Sequence, residues 1–390
     1  MSSASTYLDH NATTPVAPEV AEAMWPYLVD HFGNPSSTTP LGARARAAVD
    51  HAREQVAGLV GAHPDEIVFT SGGTESNNLA IRGTAAVAST YDVLTSAIEH
   101  PATVAPLAHL RGLGWRVHEL PVDDGSRVRL TEVPTAPVGL GSLILAHNET
   151  GAVQPVAEFA ERVHAAGGVV HADAAQAVGK IAVSVEDLGV DLMSIAGHKL
   201  YAPKGVGALV VRRGTTLVPL LRGAGQEGGL RPGTENVPGI VALGAAAELA
   251  GSHLEAEGAR QAGLRDLLWE ELARVAPDLV RVSPTDGCLP NTLMVAAPGR
   301  IGAEVLARVE DVAASTGSAC HAGEHTPSAA LLAMGLDHET ALGAVRLSLG
   351  RSTTRAQIQH AAEVLGHALT GGPPPSPTVR GGPARDATAR

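Results

Sequence analysis

The chain has 390 residues, of which 44% are hydrophobic and 17% charged, and its formal net charge is −12. This composition is typical of a globular α/β protein rather than of a disordered or fibrous one, and the acidic balance gives no support to direct binding of nucleic acid or of an anionic membrane. Two cysteines form no disulfide framework, no apolar run approaches the roughly 20 residues of a membrane span, and the N-terminus lacks a secretory pattern. We therefore expect a cytoplasmic protein without a membrane partner.

Apolar runs alternate with helical patterns through the first 250 residues, which predicts a mainly parallel sheet covered by helices. Strands are predicted at 66–70, 92–96, 141–146, 167–173, 191–196 and 207–212. Helices are predicted at 44–60, 75–85, 100–113 and 156–166. Such a sheet binds its ligands at the carboxyl ends of the strands, so the residues that follow each strand are the candidates for chemistry.

The pattern changes after about residue 250 to a long helix, short strands and a further helix, which predicts a second, smaller α+β domain. We expect a large domain over 16–250 and a small domain built from 1–15 and 251–370. Residues 371–390 contain no core-forming side chains and are predicted to be a flexible tail.

The strand predicted at 66–70 is followed by the sequence SGGT, at residues 71–74, and by a helix. Free amide groups at a helix N-terminus, with the hydroxyls of Ser71 and Thr74 beside them, suit a phosphate group. Neither GxxxxGKS/T nor a clear GxGxxG is present, so a nucleoside triphosphate or a dinucleotide is not favoured. A tight turn with a helix cap would explain the same residues equally well.

The chain contains three lysines, Lys180, Lys199 and Lys204. Lys199 follows a predicted strand in the sequence SIAGHK, whereas Lys204 follows Tyr-Ala-Pro, which indicates a turn. An amine can form a Schiff base and a guanidinium cannot. A lysine at a strand end in a chain that otherwise uses arginine therefore favours a chemical role, and we expect Lys180 and Lys204 to lie at the surface or behind the site.

Further polar residues follow the neighbouring strands. Asp173 ends the strand before that of Lys199, and a buried carboxylate there needs a cationic partner to stay ionised. Together with a phosphate cradle and a histidine, these residues fit pyridoxal 5′-phosphate (PLP), held as a Schiff base by Lys199 with its ring nitrogen paired to Asp173. His100 would stack on the ring, and Asn148 and Gln176 would hydrogen-bond its oxygen.

Four long motifs of the chain are YLDHNATTP (7–15), FGNPSS (32–37), GQEGGLRPGTENV (225–237) and VRLSLGRSTT (345–354). With these motifs the chain resembles the cysteine desulfurases and selenocysteine lyases of the class V aminotransferase group. The resemblance extends over nearly the whole chain. It implies a fold-type I PLP-dependent transferase, with a mainly parallel seven-stranded sheet in the large domain and a smaller α+β domain.

The resemblance also implies roles at the phosphate end of the cofactor. Gly73, Thr74 and His198 would hold the phosphate, and Thr234 would reach it across the interface of a homodimer. Ala196 stands where many members of the group have a serine that binds the phosphate, so one hydroxyl donor is missing here.

At the other end of the site, the resemblance makes Asn148, Asp173 and Gln176 ligands of the ring. Arg346 would clamp the carboxylate of the substrate, a task that suits a bidentate guanidinium group, with Asn148 beside it.

Cys320 lies in the sequence STGSACHAGEHTPS at 315–328, which has no helical or strand period and is predicted to be a mobile loop. Its neighbours are glycine, serine and histidine, which do not suit a small buried hydrophobe, whereas Cys288 fits that description or a loop thiol. The histidines and the glutamate after Cys320 lack the paired spacing of zinc motifs, so no metal site is predicted. The resemblance makes Cys320 the nucleophile that accepts sulfur.

The implied reaction removes sulfur from L-cysteine and gives L-alanine and a persulfide on Cys320, which passes to an acceptor protein of unknown identity. Lys199 would move the Cα proton, and His100 would act as acid or base because its unperturbed pKa lies near neutrality. A selenocysteine lyase on the same scaffold is the main alternative: His321 favours it, and the compact loop after Cys320 favours the desulfurase. A PLP transaminase would need no cysteine, and the set of cofactor residues disfavours a non-catalytic carrier.

Overall fold

The computed structural model describes residues 5–132, 137–316, 320–321 and 324–371. The strands of this part of the chain are β1 (Thr6–Tyr7), β2 (Ile67–Thr70), β3 (Asp92–Ser96), β4 (Arg116–Leu120), β5 (Leu140–Ile144), β6 (Val169–Asp173), β7 (Leu192–Ala196), β8 (Gly207–Val211), β9 (Val280–Arg281), β10 (Thr292–Ala296), β11 (Val312–Ala313), β12 (Cys320–His321), β13 (Glu324–His325) and β14 (Ala344–Ser348).

The α-helices of the same part are α1 (Pro18–Val29), α2 (Pro40–Val60), α3 (Gly73–Ala85), α4 (Pro101–Gly112), α5 (Val156–Ala165), α6 (Val185–Leu188), α7 (Val237–Val275), α8 (Gly302–Ala307), α9 (Ala329–Ala333), α10 (His338–Leu342) and α11 (Arg355–Thr370). Short 3₁₀ turns occur at Pro64–Glu66, Leu130–Glu132, Gly197–Lys199 and Gln226–Gly229.

Seven strands form the central sheet in the order β2-β8-β7-β6-β5-β3-β4. Six of them run parallel, and only β8 is antiparallel to its neighbours β2 and β7. The inner strands are buried on both faces, as the continuous burial of β5 and β7 shows, because helices cover both sides of a parallel sheet. The predicted α/β class and the mainly parallel sheet are therefore confirmed.

Strand β4, helix α1 and the short helix α6 of the large sheet region were not predicted from the sequence. Strand β4 is the edge strand and reads RVHEL, so its outer positions are exposed and its apolar signal is weak. Both Arg116 and His118 on it bind the carboxylate of Asp92 on β3, at 2.8 Å and 2.7 Å. Helix α1 carries an internal proline and exposes several apolar side chains, so it lacks the single buried stripe that predicts a helix.

A second hydrophobic core is built around the antiparallel sheet β14-β10-β9. It includes Leu8 from the N-terminal segment, Leu268 from α7, Val295 from β10 and Leu365 from α11. The boundary predicted near residue 250 falls inside α7, which runs through both parts. The predicted tail at 371–390 lies outside the described residues beyond Gly371.

Helix α7 is 39 residues long, and its length and composition alone would allow it to cross a membrane. Half of its apolar window is buried inside the protein, where the helix packs against α1, α2 and α11. The sequence analysis found no such run, because the apolar residues of α7 are interrupted by polar ones and are not consecutive.

The N-terminal segment crosses from the small sheet to the large one and passes over the carboxyl ends of its strands. Asp9 pairs with Ser348 at the end of β14, and the Thr14 amide donates to the His198 carbonyl at 2.9 Å, directly after β7. Residues 9–14 thus lie where the predicted site residues emerge from the sheet.

Candidate active site

One cavity of about 170 Å³ lies at the carboxyl ends of β2, β5, β6 and β7. Nine of the predicted site residues line it, namely Gly73, Thr74, His100, Asn148, Asp173, Gln176, His198, Lys199 and Arg346. Residues that are far apart in the chain therefore meet in one place, because all but Arg346 follow or end strands of the central sheet, and Arg346 reaches the cavity from the middle of β14.

At one end of the cavity, α3 begins directly after a glycine turn. Gly72 has φ +144°, a conformation that side-chain-bearing residues rarely adopt, and the first helical hydrogen bond runs from Ser76 to Gly72. The amides of Gly73, Thr74 and Glu75 therefore lack partners within the helix and are available to an anion. A Cβ built on Gly73 would lie 3.4 Å from the Ala196 methyl group, so these two residues form the floor of the cradle.

His198 stands beside this cradle, between β7 and Lys199. Its Nδ1 lies 3.1 Å from the Thr13 hydroxyl, which fixes the ring. Burial, aided by the nearby charge of Lys199, lowers the pKa of His198 to about 4. The imidazole is therefore neutral at pH 7 and can hydrogen-bond an anion without contributing a charge.

At the other end, Asp173 presents a buried carboxylate to the cavity. It accepts hydrogen bonds from the Asn77 side-chain amide at 2.7 Å and from the Ala175 backbone amide at 3.1 Å. Both donors, which belong to the described part of the chain, are uncharged. Neither is the cationic partner that the sequence analysis expects for Asp173, and the site leaves room for a cation on a ligand.

His100 is the N-cap of α4 and lies at the open mouth of the cavity. Its Nδ1 accepts a hydrogen bond from the Ala102 amide at 3.1 Å, so the neutral ring carries its proton on Nε2. Partial burial lowers the pKa of His100, although the nearby Asp173 carboxylate opposes this shift. The ring is therefore a hydrogen-bond donor through Nε2 at neutral pH.

Lys199 ends the 3₁₀ turn that follows β7, and its side chain enters the cavity. Its Nζ donates to the carbonyl of Asn11 and, at 2.8 Å, to that of Ala12. Burial and the positive charge of Arg346 lower the pKa of Lys199 to about 8, against the opposing effect of Asp9 and Asp173. A substantial fraction of this amine is therefore unprotonated near neutral pH.

Arg346 is buried on β14 and closes the cavity on the side of the small sheet. One terminal nitrogen donates to Asp9 at 2.8 Å and the other to the Asn148 carbonyl at 3.0 Å. Its Nε is buried and lacks a hydrogen-bond partner among the described residues. The guanidinium group is thus held in one orientation, with its charge facing the cavity beside Asn148.

Asn11 belongs to the site, although the sequence analysis gave it no role. Its backbone carbonyl accepts from Lys199 and from Gln176, and its side chain contacts Lys180 and Asn291. The only signal in the sequence was its place in the YLDHNATTP motif. Lys180 lies behind Gln176 with a buried amine. The sequence analysis placed it either at the surface or behind the site, and the structure supports the position behind the site.

Two predicted residues are not among the described residues that line this cavity. Thr234 is exposed in the loop before α7 and does not line the cavity of its own chain. Cys320 lies in β12, which pairs with β13 so that Cys320 faces His325 across a short hairpin. The prediction of a loop without strand structure was therefore wrong for its backbone, because two-residue strands are too short to give a period. The side chain of Cys320 lies outside the described atoms.

The segment that carries this hairpin is attached at both ends to the substrate side of the cavity. Ser315 exchanges two backbone hydrogen bonds with Arg346, at 3.3 Å and 2.6 Å. Ser328 hydrogen-bonds the carboxyl group of Glu149, next to Asn148. Each attachment is thus made at, or directly beside, a residue predicted to bind the substrate.

Cys288 lies where the sequence analysis expects a small, partly buried thiol. The Cys288 thiol is partly buried against the carbonyls of Thr150 and Thr292, and burial raises its pKa to about 11, so it stays a protonated thiol. No group of three potential metal ligands occurs among the described residues. The side chains of His321 and Glu324 lie outside them.

The residues that line the cavity fit PLP. A void of roughly 150 Å³ holds a benzene-sized ring, and this cavity of about 170 Å³ opens onto the free amides of α3. The carboxylate of Asp173, bonded only by uncharged groups in the described part of the chain, suits a protonated ring nitrogen. Lys199 supplies the amine for a Schiff base.

The aminotransferase class-V family profile matches residues 6–360 of the chain. A cysteine desulfurase of Trichormus azollae is 45% identical over 365 residues, which cover 92% of this chain and 91% of that relative. The cysteine desulfurase IscS of Dictyoglomus turgidum is 42% identical and covers 92% and 93%. Among solved structures, a NifS-like protein superposes with a TM-score of 0.87 at 34% identity, over 94% of this chain and 100% of that chain.

Proposed function

The chain belongs to the aminotransferase class-V family, and we propose that it acts as a PLP-dependent cysteine desulfurase, which removes sulfur from L-cysteine and forms L-alanine. The observation that carries this assignment is the convergence of Lys199, Asp173 and Arg346 on one cavity with a free helix N-terminus. The same activity is the printed name of relatives that align with almost the whole chain.

The residues divide the work of holding PLP. Gly73, Thr74 and His198 would hold its phosphate, while Asp173 and Gln176 would hold its ring, with Asn148 and His100 beside them. When bound, PLP supplies an electron sink for the electron pair released at the substrate Cα. A carboxylate at Asp173 keeps the ring nitrogen protonated, which makes the sink stronger.

Arg346 and Lys199 act on the substrate itself. The guanidinium of Arg346 binds the carboxylate of L-cysteine, and its hydrogen bonds to Asp9 and Asn148 fix the orientation of that group. Lys199 removes the Cα proton with its neutral amine, which its lowered pKa makes available near neutral pH.

Cys320 and His100 complete the reaction. The Cys320 thiolate attacks the sulfur of the substrate, so that an S–S bond forms while the Cβ–S bond breaks and its electron pair remains with Cβ. Protonation of Cβ and return of a proton from Lys199 to Cα then give alanine, and Cys320 carries the persulfide. His100 holds a proton on Nε2 at the mouth of the cavity and is the proposed acid; a His100→Gln variant with full turnover would remove this role.

The test is product identification with L-cysteine and with L-selenocysteine, for the wild type, Cys320→Ala and the matched control Cys288→Ala. A cysteine desulfurase loses persulfide formation in Cys320→Ala and retains it in Cys288→Ala. If Cys320→Ala keeps its full rate on selenocysteine and the wild type barely acts on cysteine, the protein is a selenocysteine lyase. Amino exchange with a keto acid that is unaffected by Cys320→Ala would identify a transaminase.

We further propose a twofold homodimer in which Thr234 of each subunit completes the phosphate site of the other. Support comes from the exposed position of Thr234 away from its own cavity and from Trp25 and Phe32, which are 62% and 72% exposed. Aromatic side chains are enriched at protein interfaces relative to the rest of the surface. The test mixes a Lys199→Ala chain with a Thr234→Ala chain under conditions of subunit exchange.

Shared sites predict that this mixture regains activity, since one of the two sites in a mixed dimer then contains neither lesion. A mixture that stays inactive, although exchange is demonstrated and Thr234→Ala is inactive alone, contradicts the shared site. We also propose an acceptor protein for the persulfide and a cytoplasmic location. The support for the location is the free Cys288 thiol, since a reducing compartment keeps such groups unpaired.

A further inference from the structure

Two of the three lysines in the chain converge on a single residue, Asn11. The amine of Lys199 approaches from the cavity and donates to the Asn11 backbone carbonyl. The amine of Lys180 approaches from behind and donates to the Asn11 side-chain oxygen at 2.8 Å. These positions are 188 and 169 residues away from Asn11 in the chain, so the contact is a product of the tertiary fold.

Lys180 also determines how the two neighbouring carboxamides are oriented. Its amine donates to Gln176 Oε1 at 2.6 Å, which leaves Gln176 Nε2 to donate to the Asn11 carbonyl at 2.9 Å. The side-chain oxygen of Asn11 accepts from Lys180 and, at 3.0 Å, from Asn291, so its Nδ2 is directed to Thr292. One buried amine therefore fixes both amides that border Lys199.

The catalytic amine is held in place by the same segment. Besides the Asn11 carbonyl, Lys199 Nζ contacts the Ala12 carbonyl at 2.8 Å. The segment itself is fixed by the Asn11 amide, which donates to the Ser348 hydroxyl at 2.9 Å. The two carbonyls thus form a preformed acceptor pair at the edge of the cavity.

We propose that the carbonyls of Asn11 and Ala12 are the resting place of the Lys199 amine whenever it is free of the cofactor, and that Lys180 is a positioning residue that acts on this amine through Asn11. The inference rests on the proposed function for the claim that Lys199 alternates between a bound and a free state. Removal of Lys180 should leave this resting place without its support.

The electrostatic surroundings of Lys199 make the direction of this effect clear. The charged and titratable groups around it are Asp9 from the N-terminal segment, His100 before α4, Asp173 at the end of β6, Lys180 behind Gln176, His198 next to it in the chain and Arg346 on β14. The charge of Lys199 lowers the pKa of Lys180, whereas the charged groups that shift the pKa of Lys199 are Arg346, Asp9 and Asp173. Lys180 therefore acts on Lys199 through the hydrogen bonds of Asn11. Its loss should lower the pH at which Lys199 loses its proton, because the carbonyls would then hold the charged amine less well.

The experiment is trace labelling of the full-length, cofactor-free protein with an amine-acylating reagent at a series of pH values. Three lysine-containing segments report on the three side chains, so mass spectrometry gives a separate pH midpoint for Lys199. In Lys180→Met this midpoint is expected to fall by roughly 0.7 pH unit, since a hydrogen bond worth about 1 kcal/mol to the charged amine has an effect of this order. Lys204→Met, which removes an exposed lysine, is the matched control and should leave the midpoint unchanged.

A folded Lys180→Met protein with an unchanged or raised Lys199 midpoint overturns the proposal. If Lys180→Met does not fold, Asn11→Ala gives the same test, because it removes the side chain through which Lys180 holds the Asn11 carbonyl and should also lower the midpoint of Lys199. A folded Asn11→Ala protein without that fall overturns the proposal equally. Sulfur release plays no part in this readout, so a failure here can be told apart from a failure of the proposed function.

Discussion

The cavity and the hairpin of Cys320 hold their functional residues in different ways. Lys199 and Asp173 emerge from inner strands of a seven-stranded sheet, and both side chains have hydrogen-bond partners that fix them. Strands β12 and β13, in contrast, pair only with each other in the described part of the chain, over two residues each. The proposed proton transfer thus takes place on a rigid frame, whereas Cys320, the proposed sulfur acceptor, lies on a separate small element.

The largest effect on turnover is expected for Lys199, on the rigid frame of the cavity. Lys199→Arg keeps a positive charge but cannot form a Schiff base, so turnover of L-cysteine should fall by at least about 10³-fold. Absorbance of the bound cofactor measures the loss of the Schiff base, and steady-state kinetics measure the loss of turnover. Lys204→Arg is the matched control and should retain both, while measurable turnover of Lys199→Arg near the wild-type rate would contradict the assignment.

A somewhat smaller effect is expected at the ring end of the cavity. Asp173→Asn keeps the size of the side chain but removes the charge, so the ring nitrogen would lose its anionic partner and kcat should fall by roughly 10²-fold to 10³-fold. Asp124→Asn removes an exposed carboxylate outside the cavity and is the matched control. An Asp173→Asn enzyme with unchanged kcat would mean that this carboxylate does not contact the ring.

A substitution in the segment that carries the Cys320 hairpin should have a smaller and more selective effect, on persulfide formation. Ser328→Ala removes the hydrogen bond to Glu149 at one end of the Cys320 segment, so persulfide formation should slow by about tenfold or less, since a single hydrogen bond is worth about 1 kcal/mol. Cofactor binding should not change, because the cavity does not include Ser328. Equal losses in cofactor binding and in persulfide formation would break the distinction between the two regions.

The smallest effect is a gain at the phosphate cradle. Ala196→Ser returns a hydroxyl donor beside the free amides of α3 and should tighten PLP binding by about threefold to tenfold, as one added hydrogen bond would. The dissociation constant of PLP from the cofactor-free protein is the measurement. A weaker complex would show that the methyl group of Ala196 packs against the cofactor and that a polar atom is not tolerated there.

The sequence predicted those parts of the site that depend on where strands end. Asp173, Lys199 and His100 each follow or end an apolar run, and parallel strands bring such positions to one edge. The roles of Asn11 and Lys180 could not be predicted in this way, because their contact joins positions 169 residues apart and depends on how the N-terminal segment crosses the sheet. Strand β4 was missed for a local reason, since its polar outer face hides the apolar alternation.

The two attachments of the Cys320 segment have a consequence for the kinetics of sulfur transfer. Cys320 is separated by only a few residues from Ser315, which pairs with Arg346, and from Ser328, which binds Glu149. A group on so short a tether has an effective concentration in the millimolar range at the site it serves. The proposed attack of Cys320 on the substrate sulfur is then intramolecular, so its rate should not depend on the protein concentration. Free thiols in solution would have to reach millimolar concentrations to compete with Cys320.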